Sequence, residues 1–263
     1  MRTSKTIWIT GASSGIGEAC AYLWAKEKAN LILTATREER LKVVQEKCIQ
    51  LGARCEVLPY DLSNLDGIDE LTDRAIGLFG TIDTVFLNAG ISQRSKTLDT
   101  AYSVDEKIMA VNFFAPVKIA KRLLPTMIVK GGGTVAVTSS ISGKFGFPLR
   151  SAYASSKFAL YGFFETVHAE YYDRNIRVVM VCPGRIRTNI SYNALEADGS
   201  KHAQMDEGQE TGMPAEKAAE KIVRAIKKRK PEVLVGGKEL LMVYIKRFFP
   251  GLARTMVRKI KAT

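Results

Sequence analysis

The chain has 263 residues, of which 39 are Lys or Arg and 27 Asp or Glu, giving a formal charge of +12, and 46% are hydrophobic. That is too much apolar material for a disordered chain, and the length suits one large α/β domain or two small ones. No uncharged apolar stretch approaches the roughly 18 residues of a membrane span, so neither a signal peptide nor a transmembrane anchor is expected. The four cysteines (Cys20, Cys48, Cys55, Cys182) form no C-x-x-C pair, which points to buried thiols and a reducing, cytoplasmic compartment. With His168 and His202 as the only histidines, H-E-x-x-H zinc chemistry is excluded and no metal site is expected.

The first strand is predicted at about 5–10 (KTIWIT) and runs into Thr10-Gly11-Ala12-Ser13-Ser14-Gly15-Ile16-Gly17, with a helical pattern at 15–28. In this G-x-x-x-G-x-G spacing Gly11 permits the tight turn, Gly15 lets the backbone approach a pyrophosphate, and Gly17 lets the helix pack on the sheet. Phosphate would then sit at the helix N-terminus, with Ser13, Ser14 and Ile16 in the enclosing loop. The second strand, 30–35, ends Leu33-Thr34-Ala35-Thr36-Arg37 before a helix at 38–51. An acidic residue at that point accepts from a ribose 2′-hydroxyl, whereas an arginine accommodates a 2′-phosphate. No acid occurs before Glu38, so Arg37, seconded by Thr36, favours NADP(H) over NAD(H). After the third strand (54–59), Asp61, followed by Leu62, is placed to meet the adenine amino group, or simply to cap the next turn.

The alternation continues with a helix at 66–79, a strand at 82–88 ending Asn88-Ala89-Gly90, a long helical pattern at 103–129 and a strand at 133–139. A helix at 151–173, a strand at 176–182, a helix at 214–229 and a strand at 232–235 complete it. Each strand-helix-strand step demands a parallel crossover, so the expected product is a single doubly wound α/β Rossmann domain over residues 1–236. Its seven-stranded, mainly parallel sheet would carry helices on both faces. Residues 189–212 lack any period and lie on the carboxyl side of a strand, where ligands bind, which favours a functional lid.

The fifth strand runs out into Ser139-Ser140, and 13 residues after Ser140 comes Tyr153-Ala-Ser-Ser-Lys157 on a helix. The i,i+4 spacing puts Tyr153 and Lys157 on one face, where an ammonium can stabilise a tyrosinate. Tyr22 and Lys26 share that spacing, but they lie on the first helix, away from the strands' carboxyl edge.

Taken together, these residues resemble the short-chain dehydrogenase/reductase family. The chain matches its T-G-x-x-x-G-x-G at Thr10 to Gly17, its N-A-G at Asn88, Ala89 and Gly90, and its mid-helix Asn at Asn112. Ser140, Tyr153 and Lys157 match its S-x-n-Y-x-x-x-K, and Pro183-Gly184 to Thr188 its P-G-x-x-x-T. Leu87 departs from the pattern, since many relatives have an Asn there. The resemblance implies hydride transfer between a nicotinamide and a carbonyl carbon, with Ser140 donating a hydrogen bond to the oxygen and Tyr153 delivering the proton. Lys157 would lower the tyrosine pKa and bind the nicotinamide ribose, and Asn112 would hold a water linking Lys157 to solvent; its structural alternative is a polar residue bending a helix. Pro183, Gly184, Ile186 and Thr188 would flank the nicotinamide. The resemblance further implies a homodimer or homotetramer through the 103–129 and 151–173 helices, with Ala154, Phe158, Phe163, Phe164 and Val167 supplying apolar surface.

For a substrate, Phe147, Leu149, Tyr192, Leu195 and Met205 are plausible pocket walls or plain core, and no fixed basic cluster for a carboxylate or phosphate stands out. An apolar alcohol, ketone or aldehyde is therefore expected. A 3-oxoacyl-carrier-protein reductase and a non-catalytic nucleotide-binding scaffold are the alternatives.

The charge excess is confined to the tail: residues 1–220 are net +1 and residues 221–263 net +11. In the extension at 237–263, Leu240, Leu241, Val243, Tyr244, Phe248 and Phe249 interleave with Lys246 and Arg247. Leu252, Met256, Val257 and Ile260 interleave with Arg254, Arg258, Lys259 and Lys261, and Pro250-Gly251 separates the two stretches. Similar tails occur in a retinoid- and steroid-type carbonyl reductase branch. A solvated helix covering the core, an anionic membrane surface and another acidic partner all fit; no nucleic-acid motif accompanies the charge.

Overall fold

The computed structural model describes residues 4–260; Lys261, counted above among the tail's basic residues, lies outside them. Alternating apolar strands and amphipathic helices give β1 (Thr6–Thr10), α1 (Gly15–Lys26), β2 (Asn30–Thr34), α2 (Glu38–Gln50), β3 (Arg54–Val57), α3 (Ile68–Phe79) and β4 (Thr84–Leu87). Then come α4 (Tyr102–Met109), a π-helical turn at Ala110–Phe114, α5 (Ala115–Val129), β5 (Gly133–Thr138), α6 (Ser151–Tyr171) and β6 (Ile176–Pro183). The chain continues through β7 (Ile186–Arg187), α7 (Glu207–Glu210), β8 (Met213–Pro214), α8 (Ala215–Lys227), β9 (Glu232–Val235), α9 (Leu241–Phe248) and α10 (Pro250–Val257).

Seven strands form one sheet in the order β3-β2-β1-β4-β5-β6-β9, every pair parallel. Successive residues of a strand face opposite sides, so β1 sends Ile7 and Ile9 into one core and Trp8 into the other. The first core lies under α1, α2 and α8, the second under α3, α5 and α6, where Leu87 takes its place as a buried apolar residue. Strand order reverses between β1 and β4, and it is there, beyond the carboxyl ends, that such a sheet opens a crevice.

Three expectations change. The 103–129 helix is not continuous, because Pro116 has no N–H to return to the carbonyl of Asn112 four residues earlier, and the helix widens into a π-turn around that asparagine. Of the five residues assigned to an interface, Ala154, Phe164 and Val167 are buried within the chain itself, and Phe163 packs against the same core; Phe158 is exposed, as is Phe114 nearby in sequence to Asn112. Residues 189–212 are not irregular throughout: Leu195 bridges to Gln93 on one side and Lys201 on the other, β7 and β8 pair at their two ends, and Ser191, Ala194, Leu195 and Asp206 are buried.

The tail forms a two-helix extension. Leu240, Met242, Val243, Val257 and Ile260 pack against a small core of Ile141, Phe145 and Cys182. On the other side Leu241, Tyr244, Phe248, Phe249, Leu252 and Met256 are exposed. Among the described residues no helix is long and apolar enough to cross a membrane, and no group of ligating side chains suited to a metal occurs. All four cysteines are free and buried.

Candidate active site

The exits of β1, β4 and β5 are stitched together by two threonines and one asparagine. The Thr10 hydroxyl oxygen accepts from the N–H groups of Asn88 (3.0 Å) and Ala89 (3.1 Å). Asn88 Nδ2 donates to the carbonyls of Thr10 and Gly11, and Thr138 Oγ1 donates to Asn88 Oδ1 at 3.1 Å. Around this brace Gly11 adopts φ +67°, and a Cβ there would stand 2.8 Å from Ala89 Cα. A Cβ on Gly17 would stand 2.3 Å from the Gly11 carbonyl oxygen, so only glycine lets α1 approach this closely. The N-cap Ser14 makes no side-chain bond to the helix, leaving the first-turn N–H groups to another acceptor.

A cleft of about 570 Å³ opens over that helix end. It is lined by Gly11, Ser13, Ser14, Gly15 and Ile16 of the first turn, Thr36 and Arg37 after β2, and Asp61 and Leu62 after β3. Asn88, Ala89, Gly90, Ser140, Tyr153, Lys157, Pro183, Gly184, Ile186 and Thr188 complete the predicted set on its walls. Two predicted residues lie outside it. Gly17 is covered by its own helix contact, and Asn112 is fully buried, with Nδ2 donating to Ile91 O (2.9 Å) and Ser156 Oγ (3.0 Å) and Oδ1 accepting from Ile91 N (2.9 Å). Its carboxamide is thus spent on a brace rather than aimed at Lys157.

A second cavity, about 420 Å³, shares Ser140, Tyr153, Gly184, Ile190 and Gln209 with the cleft. Ile141, Phe145, Phe147, Met242 and Ile260 give it an apolar side. Its far end is polar: Arg94 and Arg150, both buried, converge on the buried carboxylate of Asp206. Of the five suggested walls Phe147 lines this cavity and Leu195 the cleft; Leu149, Tyr192 and Met205 line neither.

The electrostatics follow from burial. Tyr153 is held above the usual phenol range by burial, against the downward pull of the Ser140 hydroxyl, Arg150 and Arg94, so it stays protonated at neutral pH. Burial pushes Lys157 down to about 7. Its ammonium donates to Thr138 O at 2.9 Å and stands 5.7 Å from the Tyr153 ring centroid, so the cations that favour tyrosinate here are the two arginines rather than the lysine. Burial also lowers Arg150 to about 9, with Arg94 acting in the same direction. Asp206 is pushed up by burial, but the bonds from Arg94 and Ser191 and the charge of Arg150 outweigh this and hold it below the usual carboxylate range. Tyr22, the decoy, donates to Glu18 at 2.7 Å on α1 and lines neither cavity.

Sequence reasoning passed over Gln93, Arg94, Arg150, Asp206 and Gln209. The usable signal was position: Gln93 and Arg94 follow the N-A-G at the carboxyl edge of β4, where ligands gather.

A family model described as short chain dehydrogenase matches residues 5–199. The chain is 40% identical over 257 residues to dehydrogenase/reductase SDR family member 7B of Xenopus laevis, covering 95% of this chain and 79% of that one. It is 38% identical over 247 residues to SDR family protein 7-like of Drosophila melanogaster, covering 92% and 76%. Among solved structures, a short-chain dehydrogenase/reductase from Burkholderia phymatum in complex with NAD superposes with TM-score 0.84 at 22% identity, over 99% of this chain and 97% of that one. An alcohol dehydrogenase from Thermococcus sibiricus complexed with 5-hydroxy-NADP superposes with TM-score 0.78 at 24% identity, over 90% and 97%.

Proposed function

The chain belongs to the short-chain dehydrogenase/reductase family, whose members are oxidoreductases acting on CH–OH groups with NAD(P), and from that premise we propose that it is an NADP(H)-dependent reductase of predominantly apolar ketones or aldehydes. The observation that carries the reading is the shared wall: cleft and second cavity meet at Ser140 and Tyr153, so a nucleotide in one and a carbonyl in the other would face each other across the proton donor. When bound, the dinucleotide supplies the hydride. The glycine turn and the uncapped end of α1 would hold its pyrophosphate, Asp61 and Leu62 its adenine end, and Lys157 its nicotinamide ribose. Preference for NADP(H) rests on Arg37 and Thr36, which line the cleft where an acid would select NAD(H).

Ser140 donates a hydrogen bond to the substrate oxygen, and Tyr153, kept protonated by burial, delivers the single proton as negative charge builds there. Lys157, with a pKa near 7, is suited to pass on a replacement proton. The main-chain carbonyl of Asn112, which Pro116 leaves without its α-helical donor, is the group on that residue suited to hold a linking water. The apolar substrate is supported by Phe145, Phe147, Ile141, Met242 and Ile260 on the cavity wall. The test is nicotinamide oxidation with NADPH or NADH and a panel of apolar ketones and aldehydes. Turnover that prefers NADPH and disappears in Tyr153→Phe is expected; no turnover of any carbonyl would leave a scaffold, and turnover confined to carrier-linked 3-oxoacyl groups the carrier-protein reductase.

A second reading concerns place. The outer face of α9 and α10 exposes Tyr244, Phe248, Phe249 and Leu252 amid Lys246, Arg247, Arg254, Arg258 and Lys259, with no acid after Glu239. That pattern supports peripheral docking on an anionic membrane from a reducing cytoplasmic side. Because Met242 and Ile260 of the same extension line the second cavity, the docked face would deliver an apolar substrate beside its mouth. A homodimer or homotetramer is supported by Phe158 and Phe114, exposed on α6 and at the π-turn.

A further inference from the structure

The helix that presents Tyr153 has no cap of its own. Arg150, at the N-cap of α6, gives no side-chain bond to the first turn, and Tyr153 is only the third residue of the helix, where unpaired N–H groups let an end fray. The missing acceptor comes from Gln93, 59 residues earlier and completely buried. Its Oε1 accepts from Ala152 N at 2.9 Å and Tyr153 N at 3.5 Å. That oxygen is held in place from behind, since Nε2 of the same amide donates to Ser95 Oγ (3.1 Å), Thr100 Oγ1 (3.0 Å) and Ser151 Oγ (3.2 Å).

The residues on either side of Gln93 hold the lid. Leu195 N donates to Ser92 O and Arg94 N to Leu195 O, both at 2.8 Å, which pairs the lid with this segment through an isolated parallel bridge. The Arg94 guanidinium is satisfied on every side: Nε and one terminal nitrogen bind both carboxylate oxygens of Asp206, and further bonds reach Ser191 Oγ at 3.2 Å, Ser92 Oγ at 2.8 Å and Gln93 O at 2.8 Å. Ser191 and Asp206 stand near the two ends of the lid, and Ser191 also donates to Asp206 at 3.0 Å. One guanidinium thus closes the loop and anchors it to the backbone of the residue that caps α6.

We propose that Gln93 and Arg94 are positioning residues that couple the lid to the catalytic helix, Arg94 clasping Asp206 and Ser191 while Gln93 caps α6 at Ala152 and Tyr153. A tripeptide cannot move away from one of these partners without disturbing the other, because the guanidinium bonds to the carbonyl of Gln93 itself. Closing the lid over a substrate and setting the tyrosine for proton transfer become one event, which suits a site whose geometry has to be held to a fraction of an ångström. The proposal rests on the reading of Tyr153 as the proton donor, but its test needs no turnover.

Amide hydrogen exchange on the full-length protein, without added ligand, reads the coupling directly. Asp206→Asn, which weakens the clasp, should speed exchange about tenfold at Leu195 and His202 in the lid and equally at Ala152 and Tyr153 on α6. Gln93→Met should do the same from the helix side, while Gln93→Glu, which keeps an oxygen facing Ala152 N, should restore the helix. Amides of Val135 and Val137 in β5 report global opening and should stay at the native rate. Should Gln93→Met fail to fold, Arg94→Lys and Asp206→Asn carry the comparison. A clasp variant that loosens the lid while Ala152 and Tyr153 exchange at the native rate overturns the proposal, as does acceleration shared by β5 or no acceleration at all. An active Tyr153→Phe variant would instead remove the proton-donor reading and leave the coupling measurement intact.

Discussion

Asn112 and Ile91 exchange two hydrogen bonds, Ile91 N donating to Asn112 Oδ1 and Asn112 Nδ2 donating to Ile91 O, both at 2.9 Å. The pair ties the π-turn to the segment leaving β4, and a third bond, from Nδ2 to Ser156 Oγ, ties both to α6 between Tyr153 and Lys157. The π-turn, the segment leaving β4 and α6 are therefore braced against one another through a single carboxamide.

Tyr153→Phe removes the proton donor and nothing else in the cavity wall. Turnover should fall by about 10²- to 10⁴-fold with NADPH binding within a factor of about two. The control is Tyr22→Phe, which deletes only a bond to Glu18 on α1 and should leave turnover unchanged. If the control were the inactive variant, the assignment of the site would be wrong.

Arg37→Asp places an acid where the cleft ends beside β2. Affinity for NADPH, followed by its fluorescence, should drop about 10- to 100-fold from lost charge-assisted bonds and new repulsion, while NADH is affected far less. Equal affinity of the unaltered protein for the two cofactors would count against the preference.

Lys157 carries a pH signature. Its pKa is near 7 in the folded chain against an ordinary 10.5, so between those values the unfolded chain holds a proton that the folded one has released. Stability therefore rises with pH across that window, and the cost of the buried ammonium is complete below about 7. Lys157→Met should be the more stable protein at pH 6.5, by an amount on the order of a few kcal/mol, and the advantage should shrink toward pH 10.5. Urea unfolding at several pH values checks this, and a difference independent of pH would contradict it.

The tail is tested with vesicles. Binding to anionic but not to neutral liposomes, weakened by salt and by removal of residues 246–263, is expected, each Lys or Arg near the surface contributing about 1 kcal/mol. A truncated protein that binds as well as the full chain would leave the extension as a cover for the second cavity alone.

Phe158→Glu should dissociate an oligomer built on the exposed side of α6, because it sets a charge on that apolar patch without disturbing the core beneath. Light scattering at micromolar concentration reads the outcome. A monomeric mass for the unaltered protein would reject the assembly.

The doubly wound sheet was legible because strand and helix periods alternate cleanly and each parallel step leaves one hand of crossover. The common location of the glycine turn, Arg37, Ser140, Tyr153 and Lys157 was legible for a related reason: their spacings lie within one element or across one turn, and the fold carries them to the same cleft. Less was legible of the pocket. Leu149, Tyr192 and Met205 looked like walls because apolar residues near a site are as apt for core or surface as for a cavity, and composition does not aim a side chain.

What the sequence determined alone is thus the sheet, the glycine turn after β1 and the set of candidate side chains that line the cleft, all set by short-range pattern. Only the tertiary structure decided that Gln93 caps a helix 59 residues later, that Arg94 meets Asp206 across 112 residues, and that the tail turns one apolar side to the cavity and the other to solvent. These are contacts between segments whose separation in the chain carries no period, so they exist only once packing has brought the segments together and burial has made each unpaired polar group too costly to leave.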